Sequence, residues 1–424
     1  MSALSFEQAP PASVPLRFFV TAPFFGVAAG LVLAWNWEAV TASRWAPESV
    51  AVVHLVTVGF MLQVMAGALL QVLPVAVGAN VSHPKLVAAV VHPCLTLGGA
   101  LLPIGFLGAG RLALQAAAVL LAVGVFGFVI AAGLALVRSP AMGPTLLVLR
   151  LAVVGLAIAA SLGLGVTSVF GFSRSFPLGV LLDLHVAWAS LGWALMLLMG
   201  VAYLVVPMFQ LTPPYPVRTG RVLPALLVTA LLGWTVAMLA GVDALGWLST
   251  AVGLAGACGF AIVTLRLQAK RRRKVTDSTL WAWRVAMACL LLAAGSEAVL
   301  RLLPAEEPLR ARLEYLTGAA LFAGAFPSAI AGMLSKIVGF LGWLHLQKVS
   351  MPAPTMQQVM PEVRARWHLR VSLVALAFIL LAAVWPVLAV PGGVLFAVAS
   401  AGLGWSVGLG LLHWRRHLVA SRPT

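Results

Sequence analysis

Apolar runs long enough to cross a lipid bilayer follow one another along almost the whole chain. A membrane-spanning helix needs about 20 consecutive apolar residues, and breaker residues divide this sequence into twelve such runs. We place them at residues 17–36, 50–77, 85–108, 112–137, 145–172, 179–207, 222–242, 244–265, 280–303, 315–345, 370–390 and 393–414. Because only helices or closed barrels can span lipid, the sequence predicts an all-α integral membrane protein in which residues 1–424 form one twelve-helix domain.

The shortage of charged residues supports this prediction. Only 9% of the residues are charged and 62% are apolar, whereas a soluble domain carries about a quarter charged residues. The lipid bilayer is therefore the expected main partner. Met1–Leu16 lacks the basic start of a signal peptide, so we expect the first run to be retained as a helix. The three cysteines lack CxxC spacing, which favours buried thiols over a zinc site or a disulfide.

The positive charge of the chain predicts its orientation. The net charge is +16, but no basic groove with interleaved aromatic residues points to nucleic acid. With the N-terminus inside, 20 of the 27 Lys and Arg residues fall in cytoplasmic segments and six fall outside. The cytoplasmic set includes Lys348, Arg422 and the run from Arg266 to Lys274. By the positive-inside rule, both termini are predicted to face the cytoplasm, in the inner membrane of a bacterium.

Three of the runs share a glycine motif. Gly67 in the second run and Gly200 in the sixth each precede a proline by seven residues, and Gly332 in the tenth precedes Gly339. The first glycines of the motifs are 133 and 132 residues apart. This spacing predicts three four-helix repeats around a pseudo-threefold axis, formed by runs 11, 12, 1 and 2, runs 3–6 and runs 7–10. The glycines would allow close helix approach.

Two histidines are the leading candidates for a cofactor site. His54 and His185 lie near the outer ends of runs 2 and 6, whereas His83, His345, His368, His413 and His417 lie near the cytoplasmic face. Ionisable groups inside a membrane are costly and often functional, and imidazole is a common haem ligand. A hydrogen-bonding role is the alternative. His54 precedes Gly67 by 13 residues and His185 precedes Gly200 by 15. The difference rotates one side chain by about 200°, so the two need not share one ligand.

Several other polar or soft side chains lie within the runs. His92 is followed by Pro93 and can satisfy a backbone carbonyl that the proline leaves free. Glu297 and Arg301 are spaced to form an ion pair. Lys336 could snorkel to the cytoplasmic face or mark a polar cavity. Four methionines could bind copper(I), line a haem pocket or serve as pliable packing: Met61, Met65, Met196 and Met199.

The motif-bearing runs resemble a known family. The segments from His54 through Gly67 to Pro74, and from His185 through Gly200 and Tyr203 to Pro207, are similar to helices 2 and 6 of subunit I of the haem–copper oxidase superfamily, which includes nitric oxide reductases. The chain is also similar to the NnrS family of haem- and copper-containing membrane proteins. The resemblance implies twelve helices in three pseudo-repeats. It implies that His54 ligates a low-spin haem and that His185 binds metal.

The chain departs from that family at two ligand sets. The family carries paired copper-binding histidines in helix 7, but residues 221–241 contain none. The family also has a His-x-His pair in helix 10, where Thr317 and Ala319 flank Gly318 in this chain. We therefore expect no dioxygen reduction at the usual binuclear centre, and whether the chain is an enzyme stays open. We expect a five-coordinate haem, or one with an unfamiliar sixth ligand, rather than a bis-histidine haem.

The sequence leaves three functions open. The first is a divergent oxidase-like protein that binds haem b, with copper as a second candidate metal, for electron transfer, haem or copper handling, or a nitric oxide response. His54 and His185 are then its cofactor- and metal-binding residues. The second is a twelve-helix transporter, which the parallel repeats disfavour because many transporters have inverted repeats. The third is a cofactor-free assembly partner of a respiratory complex. A respiratory-chain partner or a homo-oligomer fits the first and third.

Overall fold

The described part of the protein is helical throughout. The computed structural model describes residues 6–273, 275–304, 306–347 and 354–420, and it contains no strand within these ranges. Lys274, Lys348 and Arg422 of the predicted cytoplasmic basic set lie outside them. The long helices, which we number α1–α12, are Ser13–Trp35, Pro47–Val77, Pro84–Ala109, Arg111–Val137, Pro144–Phe172, Leu178–Gln210, Val217–Ala240, Asp243–Ala269, Ser278–Leu302, Leu309–Leu346, Glu362–Leu381 and Pro386–His417.

Eleven of these helices in the described residues are long and apolar enough to cross a membrane. They correspond to the predicted runs, with ends that differ by a few residues, because each apolar run folds into one helix. The exception is α11, predicted over 370–390 and found at Glu362–Leu381. Its first turns carry Glu362, Arg364, Arg366 and Arg370. The helix then ends at Leu381, before the Trp385-Pro386 step that disfavours helical backbone. The predicted extent of this span is wrong.

Successive connections alternate between two faces of the bundle. On one face, the N–H of Arg272 after α8 donates to the carbonyl of Leu211 after α6 over 2.9 Å. On the opposite face, the connection before α2 meets the start of α10, where Arg44 Nε lies 3.4 Å from Glu314 Oε2. We call the side with the connections after α2, α4, α6, α8 and α10 the basic face. The other side is the opposite face.

The three motif helices share a local distortion. Each of α2, α6 and α10 contains a π-helical segment, at Leu55–Leu62, Trp188–Leu195 and Ala320–Ala325. The starts of these segments are 133 and 132 residues apart, from 188 − 55 and 320 − 188, which is the spacing of the motif glycines. Such segments are rare and mark functional sites often. A π-helical turn is wider than an α-helical turn. Side chains near the opposite face therefore point in directions that differ from those in a regular helix.

Helix packing around the motif helices follows one pattern. α2 packs on α1, α6 on α5 and α10 on α9, while α1 also packs on α12, α5 on α4 and α9 on α8. The glycines make the first set of contacts close. A β-carbon on Gly200 would lie 3.1 Å from Val148 of α5, and one on Gly332 would lie 2.6 Å from Ala282 of α9. The predicted close approach at the motif glycines is present at these two positions.

Candidate functional site

Two helix ends bring His54 and His185 together near the opposite face. His54 is the last α-helical residue before the π-helical segment of α2, and His185 lies three residues before the π-helical segment of α6. The two imidazole rings are parallel within 4°, and their centroids are 6.2 Å apart. The structure therefore places both predicted site residues in one site.

The rotation between the two histidines explains why they meet. Their offset of two positions places them on opposite sides of the shared helical frame. From the sequence, the offset implied that the two histidines need not share one ligand. In the structure, the offset points His54 and His185 towards each other across the space between α2 and α6.

Both rings are fixed by backbone hydrogen bonds. Nδ1 of His54 lies 2.8 Å from the carbonyl of Val50, one turn earlier in the same helix. Nδ1 of His185 lies 2.9 Å from the carbonyl of Ala159 in α5. A carbonyl can only accept, so each Nδ1 is the protonated nitrogen in this arrangement and Nε2 is left with a lone pair. Within the described residues, no hydrogen bond to either Nε2 is present. Neutral imidazoles held this way are ready to ligate a metal.

A glycine makes room for the second ring. A β-carbon built on Gly163 of α5 would lie 2.8 Å from Cε1 of His185 and 3.2 Å from its Nδ1. Contacts this short are essentially never made by real side chains, so any larger residue at position 163 must displace the imidazole. Gly163 could not be identified from the sequence, because one glycine among 40 carries no signal of its own.

The two histidines line a cavity of 570 Å³, which we call the histidine cavity. Its volume lies within the range of ligand sites, about 300–1,000 Å³. The wall is mostly apolar and comes from α2, α3 and α5–α10, with Phe106, Phe170, Leu182, Leu231 and Phe322 among its side chains. A space of this size and polarity suits a large, flat, mainly apolar ligand.

Charged groups also line the histidine cavity. Arg44 pairs with Glu314 at 3.4 Å and stacks on Trp45, with its guanidinium 4.4 Å from the ring centre. Arg301 pairs with Glu297 at 2.7 Å, which confirms the predicted ion pair. The Arg301 guanidinium also lies 4.7 Å from the ring centre of Trp234. The side chains of Arg44 and Arg301 are 42% and 38% exposed, respectively.

Thr317 and Ala319 of α10 lie beside the same site. Thr317 lines the histidine cavity, and its hydroxyl is 2.7 Å from that of Ser296. Ala319 lines a neighbouring cavity instead. The second histidine of this site therefore comes from α6, and α10 contributes a hydroxyl and a glycine to the wall.

The remaining candidates lie away from the histidine cavity. His92 packs against α1, where its Nε2 is 2.8 Å from Oγ1 of Thr21. Lys336 reaches the basic face, with its Nζ 3.1 Å from Asp277 Oδ2 and 3.8 Å from Glu362 Oε2. The four methionines of α2 and α6 are buried and are not among the described residues that line the cavity: Met61, Met65, Met196 and Met199. Their positions favour the packing interpretation.

Two comparisons of the chain with known proteins found no match. No family model matches the chain, and no curated protein is significantly similar to it. Among the described residues, no three His, Cys, Asp or Glu side chains converge as a metal-binding group. The two imidazoles of His54 and His185 thus face one cavity without a third such side chain among the described residues.

Proposed function

We propose that this protein binds haem b in the membrane, with His54 and His185 as its two axial ligands. The observation that carries the proposal is the separation of the rings. A metal–imidazole bond of about 2 Å on each side, with about 1.1–1.2 Å from each nitrogen to its ring centre, requires centroids about 6.2–6.4 Å apart. The rings are parallel and their centroids are 6.2 Å apart, a separation equal to the required value, which supports binding of one iron atom by both histidines.

The surroundings support a porphyrin more than a bare metal ion. A porphyrin supplies four of the six iron ligands, so the protein needs to provide only one or two. The large apolar space of the histidine cavity suits the macrocycle. Arg44 and Arg301 line the same space and suit the two carboxylates of haem, since guanidinium groups bind carboxylates well. A copper ion held by two histidines alone would use none of these features.

The coordination favours one of the roles left open by the sequence. His54 and His185 would both hold the haem, which would supply one-electron redox chemistry when bound. The protein would supply the fixed imidazoles, the apolar wall and the arginines that hold the carboxylates. We therefore propose electron transfer through the membrane domain, with a respiratory-chain protein as the expected exchange partner.

The test is the absorption spectrum of the full-length protein, purified after expression with ample haem. We expect a Soret band and the sharp reduced α-band of a six-coordinate, low-spin haem. His54→Ala should remove this form, whereas His92→Ala should keep it, because His92 is engaged with Thr21 away from the cavity. A colourless wild-type protein would overturn the proposal. A five-coordinate spectrum that survives in His185→Ala would replace the bis-histidine site by a single-ligand one.

We also propose the complete architecture as twelve spans in three four-helix repeats, with both termini in the cytoplasm of a bacterium. The repeated packing pattern, the equal spacing of the π-helical segments and the alternation of connections support it. The basic residues of α11 would lie at the cytoplasmic interface. A reporter fused after Thr424 should be active in the cytoplasm. Activity only in the periplasm would contradict both the orientation and the count of spans.

A further inference from the structure

His368 lies in a small polar cavity close to the basic face, apart from the histidine cavity. This cavity has a volume of 50 Å³ and lies between α9, α10, α11 and α12. We call it the serine cavity, because His368 and five serines line it: Ser278, Ser328, Ser335, Ser372 and Ser400. A water needs roughly 10–15 Å³ of such space and two to four polar partners. The serine cavity therefore has room and polar partners for water.

A network of ion pairs connects the serine cavity to the basic face. Lys336 lies between Asp277 and Glu362, which also pair with Arg273 at 3.8 Å and Arg366 at 3.3 Å. The N–H of Ser278, a residue of the cavity wall, donates to Glu362 over 2.7 Å. Charged groups that exchange protons with solvent thus lie directly beside the hydroxyl-lined space.

The serine cavity adjoins a second space along α10, and that second space lies beside the histidine cavity. Ala323 and Phe396 line both the serine cavity and a second, mainly apolar cavity of 110 Å³. That apolar cavity shares Arg44, Glu314 and Phe322 with the histidine cavity. The hydroxyl of Tyr315 also faces this middle part, and it is buried without a hydrogen-bond partner among the described residues.

We propose that this series is a gated proton route from the basic face to the Arg44–Glu314 pair. His368 would relay the proton, since its imidazole can accept a proton on one nitrogen and release one from the other. Its Nε2 lies 3.4 Å from the hydroxyl of Ser372, the next group in the cavity. Phe396 and the apolar cavity form the gate, because an apolar constriction excludes the water that a proton needs. The proposal does not depend on haem binding.

Proton flux into liposomes tests the route with the full-length protein. Vesicles of phosphatidylethanolamine and phosphatidylglycerol would contain a pH-sensitive dye, and a potassium gradient with valinomycin would supply the potential. Wild-type protein should conduct little more than empty vesicles, because the gate is closed. Phe396→Ser should raise the flux severalfold, since it joins the polar and apolar spaces and adds a hydroxyl. Phe24→Ser is the control for a disturbed lipid contact, because Phe24 is 69% exposed. No increase in Phe396→Ser would overturn the proposal.

A second substitution tests the role of His368. Adding His368→Leu to Phe396→Ser should return the flux towards the wild-type value. Adding His345→Leu instead should not, because His345 lies on α10 with its Nδ1 on the Leu341 carbonyl and does not line the serine cavity. An equal reduction by both leucine variants, or by neither, would overturn the assignment of the route to His368.

Chemical access provides a measurement that does not depend on conduction. In a protein with its three native cysteines replaced by alanine, Ser335→Cys should react with silver ions added at the basic face. Val374→Cys on α11 should stay unreacted, because its side chain is 48% exposed on the surface expected to face lipid. The remaining thiols are then counted with maleimide after unfolding. Equal protection of the two cysteines in monodisperse protein would mean that the serine cavity is dry, and would overturn the proposal.

Discussion

The histidine cavity and the serine cavity both place imidazoles inside a helical membrane protein, but their surroundings differ in every other respect. The histidine cavity is about ten times larger, its wall is mostly apolar, and its two rings are parallel with each Nδ1 on a backbone carbonyl. The serine cavity holds one ring, five hydroxyls and an adjacent network of ion pairs. A large space with few, oriented polar groups suits one big ligand, whereas a small space with many hydroxyls suits water.

The difference shows how a buried histidine can be interpreted. An imidazole whose Nδ1 is fixed has one defined lone pair, which favours metal ligation. An imidazole with a serine hydroxyl at 3.4 Å, in a cavity of hydroxyls, can take part in hydrogen bonding through either nitrogen. From the sequence, depth in the apolar runs separated His54 and His185 from the histidines near the other ends of the helices. Depth did not distinguish what the second group does, because that depends on neighbours from other helices.

The proposed difference between the two cavities is tested most strongly by removing each imidazole in turn. We expect His185→Ala to abolish the low-spin haem spectrum, since one of two axial bonds and the fixed geometry are lost. His368→Ala should leave the spectrum unchanged, because α6 and α11 contribute to separate cavities. The measurement is the ratio of Soret to protein absorbance for each purified variant. Equal loss in the two variants would mean that the two cavities are not independent.

Much of this arrangement could be predicted from the sequence. Long apolar runs, each with breakers at its ends, placed eleven membrane helices to within a few residues. The sequence also singled out His54, His185 and the Glu297–Arg301 pair, because polar side chains are rare within apolar runs. The sequence did not predict that the two histidines share a site. The shared site depends on how α2 and α6 face each other. It also depends on the π-helical segments of these helices, which no residue pattern predicts.

Other residues were missed because their role exists only between helices. Gly163 matters through its distance from His185, which lies on the next helix. No local sequence pattern marks Arg44, because its pairing with Glu314 joins residues 270 positions apart, from 314 − 44. The extent of α11 was misjudged for a local reason, since the proline at 386 was read as part of an apolar run.

The next largest effect should come from the close contact between α5 and α6. A β-carbon on Gly155 would collide with the backbone carbonyl of Gly192, within the π-helical segment of α6. Because backbone cannot rotate away, we expect Gly155→Ala to cost about 1–3 kcal/mol, as overpacking usually does. It should also shift His185 and reduce haem binding. The midpoint of thermal unfolding in detergent measures the first effect.

Gly133→Ala is the matched control for that variant. The nearest atom to a β-carbon at Gly133 is a methyl of Val153 at 4.0 Å, an ordinary contact. We expect an unfolding midpoint at or above that of the wild type, because alanine is the better helix former. A similar loss of stability in both glycine variants would mean that the α5–α6 contact is more compliant than its geometry implies.

A smaller effect, confined to the histidine cavity, should come from a substitution beside the His185 ring. Gly163→Ala places a methyl against the His185 ring, which can move only by weakening its hydrogen bond to Ala159. We expect haem affinity to fall by about tenfold, or about 1.4 kcal/mol, with proton conduction in the Phe396→Ser background unchanged. Gly165→Ala is the control, because its β-carbon would lie 3.6 Å from Leu181. Equal affinities of the two variants would contradict the predicted position of the ring.

The smallest effect should come from the arginines that line the histidine cavity. Partly exposed ion pairs contribute about 0–1 kcal/mol to stability, so Arg44→Ala should hardly change the unfolding midpoint. Haem loss to a soluble haem acceptor should be faster by less than about tenfold, since one carboxylate contact is lost. Arg310→Ala is a close control, because Arg310 also pairs with Glu314 at 3.4 Å but does not line the cavity. If both variants lose haem equally fast, Glu314 and its partners act on the fold and Arg44 has no direct contact with the ligand. If only Arg44→Ala does so, the arginine binds the ligand itself, and its charge is one of the features that make the histidine cavity differ from the serine cavity.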